Sequence, residues 1–149
     1  MALHIGDEAP NFAGKDQHGN PINLYSHRGK KVILYFYPKD DTPGCTAQAC
    51  NLRDNYDALR GQGFEIIGVS TDDEKAHLKF INKYQLPFPL LADTNKEIVE
   101  LYDVWKEKSM YGKKYMGTVR TTFLIDEKGI ISDIIEKVDT KAHAGQILS

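Results

Sequence analysis

The sequence predicts an α/β fold with a central mixed sheet, flanking helices and an N-terminal β-hairpin extension. Two observations support this prediction. Continuous apolar runs at 32–37 and 64–70 are typical of strands buried on both faces of a sheet. A helical pattern follows each run, and strands that precede helices favour right-handed crossovers and parallel pairing. At 149 residues the chain has the usual size of one domain, predicted here to span 1–149.

The N-terminal half is predicted from turn residues and apolar spacing. A cluster of Asp, Gly, Asn and Pro at 16–21 indicates a hairpin turn between short strands around 11–12 and 22–24. The run at 32–37 is then a buried strand. A helix is predicted at 42–61, because apolar or semi-apolar side chains recur there at spacings of four and three, as in one buried stripe: Cys45, Ala49, Leu52, Tyr56 and Leu59.

The C-terminal half alternates in the same way. After the strand at 64–70, capping-box patterns at 71–74 and 94–97 predict the starts of two helices, with a short strand at 90–92 between them. Residues 106–119 are polar and contain glycine, which favours a loop. Two apolar segments at 120–126 and 130–135 indicate an antiparallel hairpin, and a short helix is predicted from about 141. This order is typical of the thioredoxin-like fold, whose functional crevice lies beyond the carboxyl ends of the parallel strands.

Charge and composition exclude several classes of function. The net charge of −2 gives no electrostatic case for binding nucleic acid or an anionic membrane. No apolar run approaches the roughly 20 residues of a membrane span, and no basic-then-apolar leader opens the sequence. The two cysteines do not make a secreted disulfide framework, so we expect a reducing cytoplasm in which any disulfide is transient.

The segment from Pro38 to Cys50 contains both cysteines of the chain. Thr42 is a natural N-cap, whose hydroxyl can accept a backbone N–H of the first turn. Pro43 suits the first helical position, where a missing N–H costs nothing. Cys45 is thereby predicted in the opening turn, where unpaired N–H groups and the helix dipole favour an anion. A thiol held there should ionise more readily than a free one, and the thiolate is the nucleophilic form.

The second cysteine, Cys50, lies on a different face of the same predicted helix. Ideal helix geometry turns it roughly 140° from Cys45 and places the two Cα atoms about 8.6 Å apart, against the roughly 4.4–6.8 Å that a disulfide tolerates. Either the two sulfurs never pair, or pairing requires the first helical turns to unwind.

At these residues the chain resembles the peroxiredoxins. The pattern Pro38-x3-Thr42-x2-Cys45 is similar to their active-site signature, and a cysteine five positions later resembles the bacterioferritin comigratory protein, or Q-type, subfamily. The resemblance covers nearly the whole chain, although Ser149 stands where members of this subfamily usually continue their last helix for a few residues. Further segments that carry it are Gly6-Asp7-x-Ala9-Pro10-x-Phe12, Val32–Tyr37, Ile66-Ile67-Gly68-Val69-Ser70, Trp105-x-Glu107-Lys108-Ser109 and Arg120-x-x-Phe123-Leu124-Ile125-Asp126.

The resemblance implies an atypical two-cysteine thiol peroxidase that uses no cofactor and no metal. Cys45 would attack hydrogen peroxide or an organic hydroperoxide, and Cys50 would resolve the resulting sulfenic acid into a disulfide. A thioredoxin-type dithiol would then reduce that disulfide. Thr42 would orient the peroxide, Pro38 would shield the cysteine, and Arg120 would stabilise the thiolate and hold the peroxide oxygens. Members of the subfamily are often monomers, and a dimer remains open.

The backbone N–H groups of Gly44 and Cys45 could also stabilise the departing oxygen. Each of these residues has a plainer interpretation. Cys45 could be a small core residue, Thr42 only a cap, Pro38 a strand terminator and Arg120 a solvated charge.

The remaining candidates are read as structural. Cys-x4-Cys without a close histidine pair is poor spacing for zinc. His77 is interpreted as a helix-face residue and the other histidines as surface residues. Arg53 is interpreted as a surface or ion-pair residue, and Trp105 and the tyrosines as core.

Two other functions compete with a peroxidase. A disulfide reductase on the same fold is disfavoured by the absence of Cys-x-x-Cys. A redox-sensing or chaperone-like binding module could use the same cysteines as a switch. The sensor would be oxidised once and stop, whereas a peroxidase turns over.

Overall fold

Strands and helices alternate along residues 3–148, the part of the chain that the computed structural model describes. Met1, Ala2 and Ser149, at the limits of the predicted domain, lie outside the described residues. The strands are β1 (Ala13–Lys15), β2 (Pro21–Asn23), β3 (Lys31–Phe36), β4 (Phe64–Ser70), β5 (Leu90–Ala92), β6 (Trp105–Met110), β7 (Lys113–Thr118), β8 (Thr121–Ile125) and β9 (Ile131–Ile135). The helices are α1 (Pro43–Asp54), α2 (Tyr56–Gly61), α3 (Glu74–Tyr84), α4 (Glu97–Leu101) and α5 (His143–Leu148), with a short 3-10 turn at Tyr25–His27.

A five-stranded mixed sheet forms the centre of the molecule, in the order β5-β4-β3-β8-β9. β3, β4 and β5 are parallel, β8 pairs antiparallel with β3, and β9 pairs antiparallel with β8. In this register Phe36 faces Thr121, so the carboxyl end of β3 and the amino end of β8 meet at one edge of the sheet. β1 and β2 form the predicted N-terminal hairpin, although β1 begins just after the predicted strand at 11–12.

Apolar side chains cover both faces of the sheet, because those of a strand alternate between the two faces. Val32, Leu34 and Phe36 of β3 belong to one buried cluster, which also contains residues of α4. Ile33, Tyr35 and Tyr37 belong to the other, which contains Cys45 together with residues of α1, α2, α3 and α5. The prediction that the 32–37 strand is buried on both faces is confirmed.

The predicted helix at 42–61 is wrong in one respect, because the structure divides it into α1 and α2 at Asn55. Asn55 has φ −108° and ψ 16°, away from helical values, and its side-chain amide donates to the Asn51 carbonyl at 2.9 Å. A side chain that competes for a backbone acceptor in this way disfavours regular helix. The predicted stripe is otherwise buried, apart from Tyr56, which is only half-buried.

The predicted loop at 106–119 is wrong, because β6 and β7 pair there as an antiparallel hairpin. The two residues between them, Tyr111 and Gly112, have φ of 52° and 78°. Positive φ at both central positions matches the two-residue turn that joins twisted strands. Most side chains of β6 and β7 are exposed, which explains why no apolar alternation marks the hairpin in the sequence.

Both predicted capping boxes are wrong in detail, because aspartates satisfy the helix starts instead. The cap of α3 is Asp73, whose carboxylate accepts the Ala76 N–H at 2.8 Å. At α4, the buried carboxylate of Asp93 accepts the N–H groups of Ile98 and Val99. A short charged acceptor inside the turn competes better for these N–H groups than the predicted threonines.

The interpretation of His143 as a surface residue is also wrong. It is fully buried at the start of α5, which begins there and not at 141. Its Nε2 lies 2.8 Å from the Thr122 hydroxyl of β8. Arg53 behaves as predicted, pairing with Asp54 and donating to the Tyr84 carbonyl. Within residues 3–148, no helix has the length and apolar character needed to cross a membrane.

Candidate active site

The first turn of α1 holds Cys45 against the central sheet. The helix begins at Pro43, as predicted, and its first backbone bond runs from the Thr46 N–H to the Thr42 carbonyl at 2.8 Å. The N–H groups of Gly44 and Cys45 precede that bond and have no acceptor within the helix. Only 2% of Cys45 is exposed, so its sulfur lies in the first turn of the helix and is largely shielded from water.

Arg120 also contacts the sulfur. It directly precedes β8, whose register with β3 brings it to the same edge of the sheet as the loop before α1. Its Nη2 donates to the Cys45 Sγ at 3.3 Å, and its Nη1 donates to the Gln48 Oε1 at 2.7 Å. A guanidinium bound in this way supplies a fixed positive charge beside the sulfur. The structure thus brings Arg120 and Cys45 together across 75 residues of sequence.

Gln48 is a site residue that the sequence analysis missed. It is fully buried on α1, three residues after Cys45, on the helix face that both residues share. Its carbonyl oxygen orients Arg120, whereas its Nε2 has no hydrogen-bond partner among the described residues. The i,i+3 spacing was a signal that could have identified it.

The Thr42 hydroxyl does not cap the helix as predicted. It donates instead to the Lys39 carbonyl at 2.8 Å, although Thr42 keeps the extended backbone of an N-cap residue. The hydroxyl proton is therefore engaged, and the lone pairs of the oxygen remain available as acceptors. Pro38 is half-buried and lies two residues after the end of β3. Gly44 lies beside Arg120, since a Cβ added there would be 3.2 Å from Nη2.

Cys50 lies on the same helix as Cys45, and both thiols are free. It is half-buried, whereas Cys45 is buried. Because α1 is continuous from Pro43 to Asp54, helix geometry keeps the two Cα atoms about 8.6 Å apart. A bond between these sulfurs therefore requires α1 to open.

Two further side chains define the surroundings of the sulfur. Burial raises the pKa of Tyr35 well above its ordinary value, with the negative charges of Asp40 and Cys45 adding to the effect, so this phenol stays neutral. In β6, the Lys108 Nζ donates to the Thr118 carbonyl at 2.8 Å. Partial burial and the charge of Arg120 lower the pKa of Lys108, while Cys45 acts in the opposite direction. The β6–β7 hairpin thus brings a second cation to the vicinity of the site.

The chain as a whole is similar to proteins of a known family. Residues 5–134 match the AhpC/TSA family. Peroxiredoxin Bcp of Bacillus subtilis is 45% identical over 148 residues, which are 99% of this chain and 94% of that protein.

Solved structures of related proteins are similar to this chain over most of its length, as two examples illustrate. A cysteine-to-serine mutant of Xylella fastidiosa PrxQ aligns with a TM-score of 0.93 at 30% identity, covering 99% of this chain and 94% of that one. The Xanthomonas campestris bacterioferritin comigratory protein, studied for its alkyl peroxide reduction activity, aligns with a TM-score of 0.86 at 35% identity, covering 92% and 87%.

Proposed function

Because the chain belongs to the AhpC/TSA family and is a thiol peroxidase of the peroxiredoxin Bcp type, we propose that Cys45 is its peroxide-reducing residue and Cys50 its resolving residue. The Cys45 thiolate attacks one oxygen of the peroxide, and the O–O bond breaks. The sulfur becomes a sulfenic acid, and the other oxygen leaves as water or an alcohol after taking up a proton. The chain is proposed to act as one domain over 1–149.

The contact between Arg120 and Cys45 is the observation that carries this proposal. The guanidinium donates to this buried sulfur at 3.3 Å and places a fixed positive charge beside it. The same cation lies where negative charge develops on the departing oxygen, and donors fixed in advance are the effective way to stabilise such charge. An inert core cysteine needs neither feature.

The residues around the sulfur have complementary roles in this proposal. The Thr42 hydroxyl, which already donates a hydrogen bond to the Lys39 carbonyl, accepts a hydrogen bond from the O–H of the incoming peroxide. The N–H groups of Gly44 and Cys45 donate to the peroxide oxygens, and Pro38 limits the access of water.

The second step requires a change of shape. Once Cys45 is a sulfenic acid, the first turns of α1 unwind, the Cys50 sulfur attacks the Cys45 sulfur, and water leaves as the disulfide forms. A thioredoxin-type dithiol then reduces the disulfide by exchange. Because both sulfurs belong to one helix, resolution needs no second chain, and we propose that the monomer is competent. A transient disulfide suits a reducing compartment, so we propose the cytoplasm.

A coupled peroxidase assay with thioredoxin, its reductase and NADPH tests the assignment. Replacing Cys45 with serine should abolish peroxide consumption. Replacing Cys50 with serine should permit one oxidation per chain, seen by mass as one added oxygen, but no cycling with thioredoxin. Full cycling of the Cys45→Ser protein would falsify the assignment, and a single turnover of the unmodified protein would favour a sensor.

A further inference from the structure

A buried chain of hydrogen bonds lies behind the loop that joins β3 to α1. The Tyr37 hydroxyl donates to the Asp40 Oδ1 at 2.6 Å, and the Asp40 Oδ2 lies 2.6 Å from the His77 Nδ1. The His77 Nε2 in turn lies 2.9 Å from the Leu91 carbonyl oxygen. The His77 side chain is completely buried and that of Asp40 is 6% exposed. The sequence alone predicts no role for either residue beyond a helix-face position for His77.

These contacts fix the number of protons that the pair holds. The Leu91 carbonyl can only accept, so the His77 Nε2 must carry a hydrogen. If the ring were neutral and Asp40 ionised, the bare Nδ1 would face a carboxylate oxygen, and two lone pairs would meet at 2.6 Å. One further proton must therefore lie between Nδ1 and Oδ2. The pair is neutral as a whole, which makes its burial tolerable.

A third group, Asp72, completes the cluster but does not make it a metal site. Its Oδ2 accepts both the Asp40 backbone N–H at 2.8 Å and the Ser70 hydroxyl at 2.7 Å. Together with Asp40 and His77 it presents three possible ligand atoms within 4.8 Å of one another. Each of these atoms already has a hydrogen-bond partner in the protein. The cluster therefore acts as a joint between segments of the chain.

We propose that Asp40 and His77 are a positioning pair for the reaction of Cys45, an inference that rests on the function proposed above. Asp40 lies two residues before Thr42 and five before Cys45. Its side chain fixes this loop to α3 through His77 and, through the ring, to β5. Its backbone N–H fixes the loop to Asp72, beyond the carboxyl end of β4. The pair holds Thr42 and the first turn of α1 in place while peroxide is reduced.

The same joint limits how far the later unwinding extends. The cysteines lie after Pro43, whereas the anchored residues lie before it. The loop up to residue 40 therefore stays attached to α3 when α1 opens, and the helix can close again onto a preserved starting point.

The neighbouring residue offers a matched control. The Asp41 carboxylate bonds the Lys83 Nζ at 2.8 Å and the Tyr84 hydroxyl at 2.9 Å, so it also links the loop to α3. These contacts are exposed, however, and water and salt screen exposed ion pairs. Removing the Lys83 contact should change little, whereas removing the buried His77 contact should change the geometry at Cys45.

The test compares the rate at which peroxide oxidises Cys45 in His77→Leu, His77→Gln and Lys83→Gln proteins. We expect His77→Leu to slow oxidation between roughly tenfold and 100-fold, as loss of positioning does. His77→Gln should retain part of the rate, because its amide can still donate to Asp40. Lys83→Gln should stay within about twofold of the unmodified protein.

A second readout does not depend on activity. In 15N-labelled protein, the His77 ring should show hydrogen-bonded protons on both the Nε2 and Nδ1 sides, and Asp40→Asn should remove the second signal. This measurement also tests the proposed Asp40–His77 pair if the His77→Leu protein does not fold. Absence of a hydrogen-bonded proton between the His77 Nδ1 and the Asp40 carboxylate would overturn the proposal, as would unchanged oxidation in folded His77→Leu protein. In either case a peroxidase that still depends on Cys45 would leave the proposed function intact.

Discussion

Replacing Arg120 with methionine removes the only described cation that bonds the Cys45 sulfur, while preserving much of the apolar stem. Two unit charges 3.3 Å apart interact by about 5 kcal/mol at an effective dielectric constant of about 20. Desolvation offsets much of this, and a hydrogen bond to a charged group contributes about 1.5–3 kcal/mol net. We therefore expect the rate constant for oxidation by peroxide to fall by about 10- to 100-fold, since 1.4 kcal/mol corresponds to tenfold.

The assay mixes reduced protein with peroxide, quenches at intervals in denaturant that contains an alkylating agent, so that both thiols are exposed, and counts the remaining thiols by mass. Arg120→Lys retains a charge but lacks the planar fork whose two nitrogens bond Cys45 and Gln48 separately, so its oxidation rate should lie between those of the unmodified and Arg120→Met proteins. Arg60→Met serves as the control, because this arginine packs over Tyr56 on α2, outside the site. If Arg120→Met were oxidised within twofold of the unmodified protein, with the ultraviolet absorbance of its thiolate unchanged, the electrostatic role of Arg120 would be refuted.

Three further changes test the surroundings of the sulfur. Gln48→Leu should slow oxidation several-fold because Arg120 loses its anchor. The same substitution should not lower the urea concentration at the midpoint of unfolding, because it also removes a buried amide nitrogen that has no partner among the described residues. A lower midpoint with an unchanged oxidation rate would contradict this prediction. Gly44→Ala should slow oxidation without changing the melting temperature, because the new Cβ would lie 3.2 Å from the Arg120 Nη2 and displace the guanidinium. An oxidation rate equal to that of the unmodified protein would show that Gly44 does not confine Arg120. Burial lowers the pKa of His143 below its ordinary value of about 6.5, so the unfolded chain binds a proton that the folded chain does not. The free energy of unfolding from urea curves should therefore fall as the pH drops below about 6.5, and His143→Gln should flatten that dependence; equal slopes in the two proteins would exclude this cause.

Patterns local in sequence predicted the parts of the fold that depend on local physics. The buried strand at 32–37 and the start of the cysteine helix follow from apolar runs, a threonine and a proline, and the structure confirms both. The β6–β7 hairpin was missed because its side chains are mostly exposed on both faces and carry no alternation.

The candidate site could be predicted where its residues are neighbours in sequence, but not where folding brings distant residues together. Arg120 was found only through the resemblance to a family, since nothing near it in the sequence indicates a cysteine 75 residues earlier. The pairing of Asp40 with His77 crosses 37 residues and depends on where α3 packs. The Thr42 hydroxyl was assigned to the wrong partner because the competing Lys39 carbonyl becomes an acceptor only once the loop has turned.

Only 2% of the Cys45 surface is exposed, so the size of a reagent decides whether it reaches the sulfur. Iodoacetamide, maleimides or glutathione disulfide need a wide approach to sulfur, so in the folded protein they meet the half-buried Cys50 first. A molecule of two oxygens needs little room. We therefore expect small oxidants to reach the Cys45 sulfur and bulky electrophiles to be excluded while α1 is intact.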